Sequence, residues 1–228
     1  MMNQNSPHRG PVRFAKPTIR PAPLTIVKLG GSHALAPHLR GWLDAIAARA
    51  GAILIVPGGG PFADAVRAAQ APMGFDDFAA HHMALMAMAQ FGRALESLHP
   101  LLTGAATRAA IARLLARKRV PVWAPEPMAL AARLPASWAL TSDSLAAWLA
   151  GELGASQLVL VKHGEFKQRE DAGDLARRAI VDPLFPDFLA RSGARAWLAG
   201  PHDHGALAGG LQTQIDQRVD APAKSAKA

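Results

Sequence analysis

Runs of four or five apolar residues recur along this chain, each stopped by glycine, proline or a polar knot, with helical spacing between them. Leu24–Val27 reads as a buried strand that ends on Lys28 and runs into Gly30, Gly31 and Ser32. His38–Ala50 follows, with Leu39, Trp42, Leu43, Ile46 and Ala47 at helical positions and Gly51 as its stop. Ala52–Val56 predicts a second buried strand, broken by Pro57 and the triplet Gly58, Gly59 and Gly60. Helices are predicted over Phe62–Gln70, Ala79–Leu98 and Ala109–Lys118, with a short strand over Val120–Trp123. A further helix runs from the polar knot Thr141–Ser144 to about Leu153, and Gln157–Lys162 is a buried strand. A polar loop at His163–Asp174, a turn and short helix in Val181–Leu189, and a last strand at Arg195–Ala199 complete the pattern. Strand and helix alternate as in an α/β fold, a three-layer αβα sandwich with a mainly parallel central sheet.

The first two strands and their helix form a βαβ unit, so both glycine turns belong at the carboxyl edge of a parallel sheet. That edge is where open α/β sheets bind ligands. Glycines let the backbone turn sharply and bring N–H groups against an oxyanion, Ser32 can add a hydroxyl, and Lys28 is a charge fixed on a strand. Together they suit the terminal phosphates of a nucleotide. A strand followed by an ordinary glycine turn, with Lys28 solvated, is the alternative. The helix after Gly60 would also aim its first N–H groups at the site. In the knot, Ser142 or Asp143 can cap the helix. Four such residues in a row also suit ordering a lysine, holding Mg²⁺ or binding a substrate phosphate. His81 and His82 open the methionine-rich helix beside the glycine turn, His81 placed to meet a substrate anion. That helix is read as core or as a subunit contact, and a homo-oligomer is expected. His202 and His204 form a bare HxH pair with no specified third ligand, so no metal site is assigned.

Composition narrows the partners. The chain has 228 residues, half of them apolar, enough for one substantial core, placed at 23–216 between tails at 1–22 and 217–228. The formal charge of +8 invites a nucleic-acid reading, but Arg9, Arg13, Lys16, Arg20, Arg218, Lys224 and Lys227, against Asp220 alone, put most of it in the tails. Both tails are expected to be disordered. No aromatic-interleaved basic motif accompanies them, and nucleic acid is not expected as a partner. The absence of cysteine, of a signal-like N-terminus and of a membrane-length apolar run gives a cytoplasmic expectation, with no membrane partner.

The motifs VKLGGS (Val27–Ser32), VPGGGPFADAVR (Val56–Arg67) and LTSDSLAAWLA (Leu140–Ala150) resemble, in order and spacing, the amino acid kinase superfamily. His81 and the helix after it, SWALTSDS (Ser137–Ser144) and VDPLFPDFL (Val181–Leu189) are similar to the branch that phosphorylates an (aminomethyl)furanylmethyl phosphate in methanofuran-type coenzyme synthesis. The resemblance spans about residues 24–205 and implies an ATP- and Mg²⁺-dependent kinase whose acceptor is a small phosphate monoester. It implies that Lys28 contacts the transferring phosphoryl, with Asp143 organising a catalytic lysine or the metal. Gly30, Gly31, Ser32 and Gly164 would serve the nucleotide, and Lys162, where this chain departs from the family, is placed with them as a phosphate-binding candidate. Gly58, Gly59, Gly60, His81, Thr141, Ser142 and Asp182 would serve the acceptor. Relatives carry a DVDG-like segment where this chain has Val161-Lys162-His163-Gly164. Lys162 is then either a second site cation or a surface lysine. The loss of both acids leaves open a non-catalytic scaffold on the same fold, or a kinase for uridylate, isopentenyl phosphate or an amino acid.

Overall fold

The computed structural model describes residues 23–164, 166–211 and 213–216; the two basic tails expected at the ends lie outside the described residues. Eight strands form one sheet: β1 (Thr25–Leu29), β2 (Ile53–Pro57), β3 (Leu102–Ala105), β4 (Val120–Trp123), β5 (Gln157–Val161), β6 (Arg169–Asp171), β7 (Arg195–Ala199) and β8 (Thr213–Asp216). Their order is β3-β4-β2-β1-β5-β7-β8-β6, and since β8 pairs antiparallel with β7 and parallel with β6, these last two strands run opposite to the other six. The helices are α1 (Leu39–Ala47), α2 (Gly60–Met73), α3 (Asp77–Leu98), α4 (Arg108–Ala116), α5 (Glu126–Ala131), α6 (Ser142–Leu153), α7 (Ala172–Arg177) and α8 (Phe185–Ser192). This is the expected sandwich.

Two cores lie on the two faces of the sheet, and the strands sort their residues between them by alternation. Leu24, Ile26, Leu54, Val56, Leu158 and Leu160 pack with Leu145, Ala146 and Leu149 of α6. Val27, Leu29, Ile53, Ile55, Val159 and Val161 pack with Trp42, Leu43 and Ile46 of α1 on the other face. α3 contributes Leu85 and Met88 to the first core and Phe91 and Leu95 to the second, so it is core over much of its length. Phe78, Met83 and Met86 of that helix remain exposed, together with Phe62 of α2. No helix among the described residues is long and apolar enough to cross a membrane.

The predicted strands at Val120–Trp123 and Arg195–Ala199 match β4 and β7 to the residue. The loop expected over His163–Asp174 instead holds β6 and the start of α7. β3, α5 and β8 are further elements that the apolar pattern does not announce.

At the carboxyl edge the two glycine turns meet backbone to backbone. A Cβ built on Gly31 would fall 1.9 Å from the Gly60 Cα, and one on Gly58 would fall 2.5 Å from the Gly31 nitrogen. Gly58 also donates its N–H to the Leu29 carbonyl at 2.7 Å, locking the second turn to the end of β1. No side chain fits between them. Gly31→Ala should therefore cost at least about 1–3 kcal/mol in a urea melt, as overpacking does. Gly205→Ala, where an added Cβ meets no atom within 4 Å, should stay within about 0.5 kcal/mol of the parent.

Candidate active site

Lys28 is the fourth residue of β1, and alternation puts it on the face of Leu24 and Ile26, toward α6. It stands in register with Leu160 of β5, the neighbouring strand. Lys162 lies two residues beyond Leu160, one pleat farther out on the same face. Two lysines on adjacent parallel strands thus converge on the first turn of α6, where Asp143 waits. Lys28 Nζ is 2.9 Å from Asp143 Oδ1, an ion pair off the hydrogen-bonding line. Lys162 Nζ donates to Asp143 Oδ2 at 2.6 Å and to the Ile180 carbonyl at 2.5 Å.

All three groups are largely withdrawn from water. Burial alone would push the Asp143 carboxyl up, but the ammonium groups of Lys28 and Lys162 outweigh it and hold the group below the usual range. Lys162 is lowered to about 8, by burial first and by the neighbouring charge of Lys28 second, against the opposing pull of Asp143. The cluster carries two cations and one anion.

The polar knot explains how Asp143 is free for this. Thr141 is the N-cap residue of α6, yet its side chain does not cap the helix. Asp182 does so from across the fold: its Oδ2 accepts from the backbone N–H of Thr141 and of Ser144, both at 3.0 Å, and from Thr141 Oγ1 at 2.8 Å. Ser144 Oγ donates to its other oxygen. Burial, then the nearby Asp143 charge, raises the Asp182 pKa, against the pull of these donors.

Above the cluster opens a cleft of about 480 Å³. One side is the joined glycine turns, with Gly31, Ser32, Gly59 and Gly60. α2 begins there, so its free N–H groups lie at the cleft. The opposite side is apolar, with Ala84, Leu85, Met88, Leu140 and Leu145, and buried His81 belongs to it. Burial first, and then the neighbouring His82, lowers the His81 pKa. Arg67 closes the mouth: its guanidinium sits 4.3 Å over the Trp138 ring, whose Nε1 donates to Gln70 Oε1 at 2.6 Å. Arg67 and Trp138 are site residues that local sequence patterns do not single out, although both lie inside the family-like motifs.

Most residues expected at the site do gather there. Lys28, Gly31, Ser32, Gly59, Gly60, His81, Thr141, Ser142, Asp143 and Lys162 all line the cleft. The surface-lysine alternative for Lys162 is excluded by its contact with Asp143. Gly30 and Gly58 shape the turns without lining the cleft, Gly30 having the Lys28 Nζ beside it. Two expectations change. Asp182 does not line the cleft, because its carboxylate is occupied by the N-terminus of α6. Gly164 is also off the cleft; its φ of +126° is what requires glycine there.

The donor set fits the phosphates of a nucleotide. Backbone N–H groups, Ser32 and two lysines face a cradle that any Cβ on Gly31 would fill. It offers less to a divalent cation, since both oxygens of Asp143 face ammonium groups. A Mg²⁺ ion brought in with ATP would be held by phosphate oxygens and water, the common arrangement for that ion. Asp143 orders the lysines.

Comparison with known proteins agrees with this geometry. The Amino acid kinase family pattern matches residues 23–165. The [5-(aminomethyl)furan-3-yl]methyl phosphate kinase of Methanocaldococcus jannaschii is 24% identical over 186 residues, covering 76% of this chain and 86% of that protein. The crystal structure of uridylate kinase from Archaeoglobus fulgidus superposes with a TM-score of 0.64 at 18% identity, covering 85% of this chain and 100% of that one. UMP kinase from Ureaplasma parvum gives a TM-score of 0.63 at 14% identity, over 84% of this chain and 98% of that one. With the paired glycine turns, the buried Lys28–Asp143–Lys162 cluster and the matching pattern together, the chain belongs to the amino acid kinase family of phosphotransferases.

Proposed function

We propose that this protein transfers the terminal phosphoryl group of ATP to a small phosphate monoester, giving a diphosphate. We infer an (aminomethyl)furan phosphate of one-carbon coenzyme synthesis as the acceptor. The observation that carries the reading is the excess positive charge at the cleft floor, where Lys28 and Lys162 share the single carboxylate of Asp143. In this step an oxygen of the acceptor's phosphate attacks the γ-phosphorus. The bond from that phosphorus to the bridging oxygen breaks, and ADP leaves with the electron pair. Phosphoryl transfer asks mainly for alignment and charge neutralisation. Lys28, Lys162 and the N–H groups of the glycine turns supply both. Mg²⁺, when bound with the nucleotide, adds further neutralisation of the phosphate charge.

A phosphate acceptor asks least of the carboxylates near the cleft floor. A phosphate oxygen is already ionised near neutral pH, whereas a hydroxyl acceptor needs a base to take its proton. Neither Asp143 nor Asp182 is free to act as that base, since Asp143 is paired with two lysines and Asp182 with the α6 N-terminus, which leaves His81 on the apolar wall as the buried proton acceptor at the cleft. The apolar wall and Trp138 suit a small flat ring, and Arg67 offers a charge at the mouth. The name of the Methanocaldococcus jannaschii relative supplies the furan. Self-association belongs to the same reading, with Phe62, Met83 and Met86 as the exposed apolar face for a second copy.

A scaffold without turnover is the second reading, resting on the altered Val161–Gly164 segment. The contact of Lys162 with Asp143 speaks against it. A panel of (aminomethyl)furanylmethyl phosphate, UMP, isopentenyl phosphate and aspartate, each with ATP–Mg²⁺, decides among the acceptors. ADP release with a new diphosphate phosphorus signal is expected for the furan. Turnover with none of them, and no thermal stabilisation by millimolar ATP–Mg²⁺, would establish the scaffold; a nucleotide at 100 times its Kd should add about 2.7 kcal/mol.

Lys28→Ala should lower kcat by about 10²–10³-fold, the scale of losing one preorganised charge donor. Its effect on the urea midpoint should be small, because Asp143 keeps Lys162 as a partner. Asp143→Asn should lose both activity and roughly 3–5 kcal/mol of stability, since it leaves two buried ammonium groups unbalanced. An Asp143→Asn protein that melts early but turns over normally would reduce Asp143 to a structural role.

The lowered Lys162 pKa has a readable sign. Activity should fall as pH rises through about 8, where Lys162 loses its charge. Stability should move the other way over the same range. Between about 8 and the ordinary lysine value of 10.5 the unfolded chain holds a proton that the folded chain has released, so this group's contribution rises with pH. Lys162→Met, compared in parallel melts across pH 7 to 10, should lose that rise.

A further inference from the structure

At the carboxyl edge of the sheet, beyond the ends of β1 and β5, three segments bring imidazoles together. His33 closes the short 3-10 turn Gly31–His33 after β1, His38 precedes α1, and His163 follows Lys162 beyond β5. Each offers a ring nitrogen, and these nitrogens all lie within 4.8 Å of one another. His33 Nδ1 is 2.8 Å from His38 Nε2, and the His163 ring stacks on His33 with centroids 4.1 Å apart. None of the three lines the phosphate cleft.

The orientation of His33 is what separates this group from a chance cluster. The ring is buried, and its Nε2 is 3.1 Å from the Val161 carbonyl oxygen. A carbonyl can only accept, so Nε2 carries the proton and Nδ1 presents an in-plane lone pair, which accepts from His38 Nε2 in the metal-free protein; a bound ion would take the place of that proton. A ligating histidine is commonly fixed this way, its second nitrogen donating to a backbone carbonyl. Three neutral imidazoles suit zinc, cobalt or nickel in preference to Mg²⁺, which takes oxygen ligands. Zinc–nitrogen bonds are about 2.0–2.1 Å, so ligands around one ion sit closer together than the widest nitrogen pair here. Rotation of His38, and of His163 out of its stack on His33, would bring them in, both being less buried than His33.

We propose that His33, His38 and His163 form a site for a divalent transition metal of the zinc, cobalt and nickel class, with its fourth position open to water. A bound ion would tie the glycine turn after β1 to the segment after β5. It would thereby fix the residue that follows Lys162 from outside the cleft. The proposal stands apart from the phosphoryl-transfer reading, because its test has no activity readout.

The test is titration of the untagged full-length protein, first stripped with chelator, with Co²⁺ followed by its visible absorption, and then with Zn²⁺ in competition. One Co²⁺ per chain is expected, displaced by equimolar Zn²⁺ and untouched by millimolar Mg²⁺. Loss of an outer hydrogen-bond partner already costs about 10–100-fold in metal affinity, so His38→Ala and His163→Ala should each weaken binding at least about 100-fold. His99→Ala, at the far end of α3, should leave the Kd unchanged. If His163→Ala does not fold by circular dichroism, His163→Gln takes its place, and X-ray absorption of the Zn²⁺-loaded parent should count three imidazoles. Absence of a stoichiometric Co²⁺ signal, unchanged affinity in both the His38 and His163 variants, or fewer than two imidazoles at zinc would overturn the site.

Discussion

The arrangement of this protein turns on one buried carboxylate between two ammonium groups. Withdrawing Asp143 from water costs several kcal/mol, and a single well-placed cation would offset much of that. The fold supplies two, Lys28 and Lys162, and both are largely buried. The second cation is not balanced by protein. In a pocket of low polarity a net positive charge is a standing demand for an anion, and the cleft above the cluster is where one can enter. Burial lowers the Lys162 pKa to about 8 because that demand is only partly met. The same imbalance that weakens the free protein would give a phosphate ligand its hold.

Everything around the cluster serves to keep these three side chains in place. Strand alternation decides that Lys28 and Lys162 share a face with the α6 core, and the register of β1 with β5 sets their separation. The glycine contact holds the rim, since Gly31 and Gly60 meet with no room for a side chain. α6 must also begin at the right height. Its free N–H groups are met by Asp182 and not by a residue of its own first turn. A helix capped by Asp143 would have turned that carboxylate away from the lysines. Capping from Asp182, which precedes α8, therefore links α8 to the charge cluster through α6.

Much of this is legible in the chain. The apolar runs give the core strands, but that Lys28 and Lys162 share a face follows only from the register of β1 with β5. The glycine turns are legible because both end a strand within one βαβ unit. What escapes the sequence is whatever depends on long-range pairing. Asp182 stands 38 residues from Ser144, and nothing local says that it caps α6. Arg67 and Trp138 look like ordinary helix and loop residues until the fold stacks them at 4.3 Å. The histidine group is built from the ends of two strands, so only the HxH pair at His202 and His204 stands out along the chain; His202 proves to be a neighbour of His38 on the rim, with ring centroids 5.8 Å apart. β3, β6 and β8 are short, and β3 and β8 contain glycine, threonine or glutamine where a core strand would be apolar.

Family membership and acceptor choice rest on different parts of the cleft. In the proposed reaction the glycine cradle, the lysines and Asp143 would meet phosphate oxygens, which furan phosphate, uridylate and isopentenyl phosphate carry and an amino acid receives. They make the chemistry and leave the substrate open. Discrimination has to come from the other wall, from Leu85, Met88, Leu140 and Leu145, from His81, and from the Arg67–Trp138 stack at the mouth. An apolar wall distinguishes shapes weakly, by about 1–3 kcal/mol for a methylene, while a polar group left unpaired in a closed site is rejected far more strongly. His81 is the buried polar group on that wall, its pKa lowered by burial. It would favour an acceptor that brings a hydrogen-bonding partner to it over one that is wholly apolar beyond its phosphate. An aminomethyl-bearing ring meets that condition, and the hydrocarbon tail of isopentenyl phosphate does not.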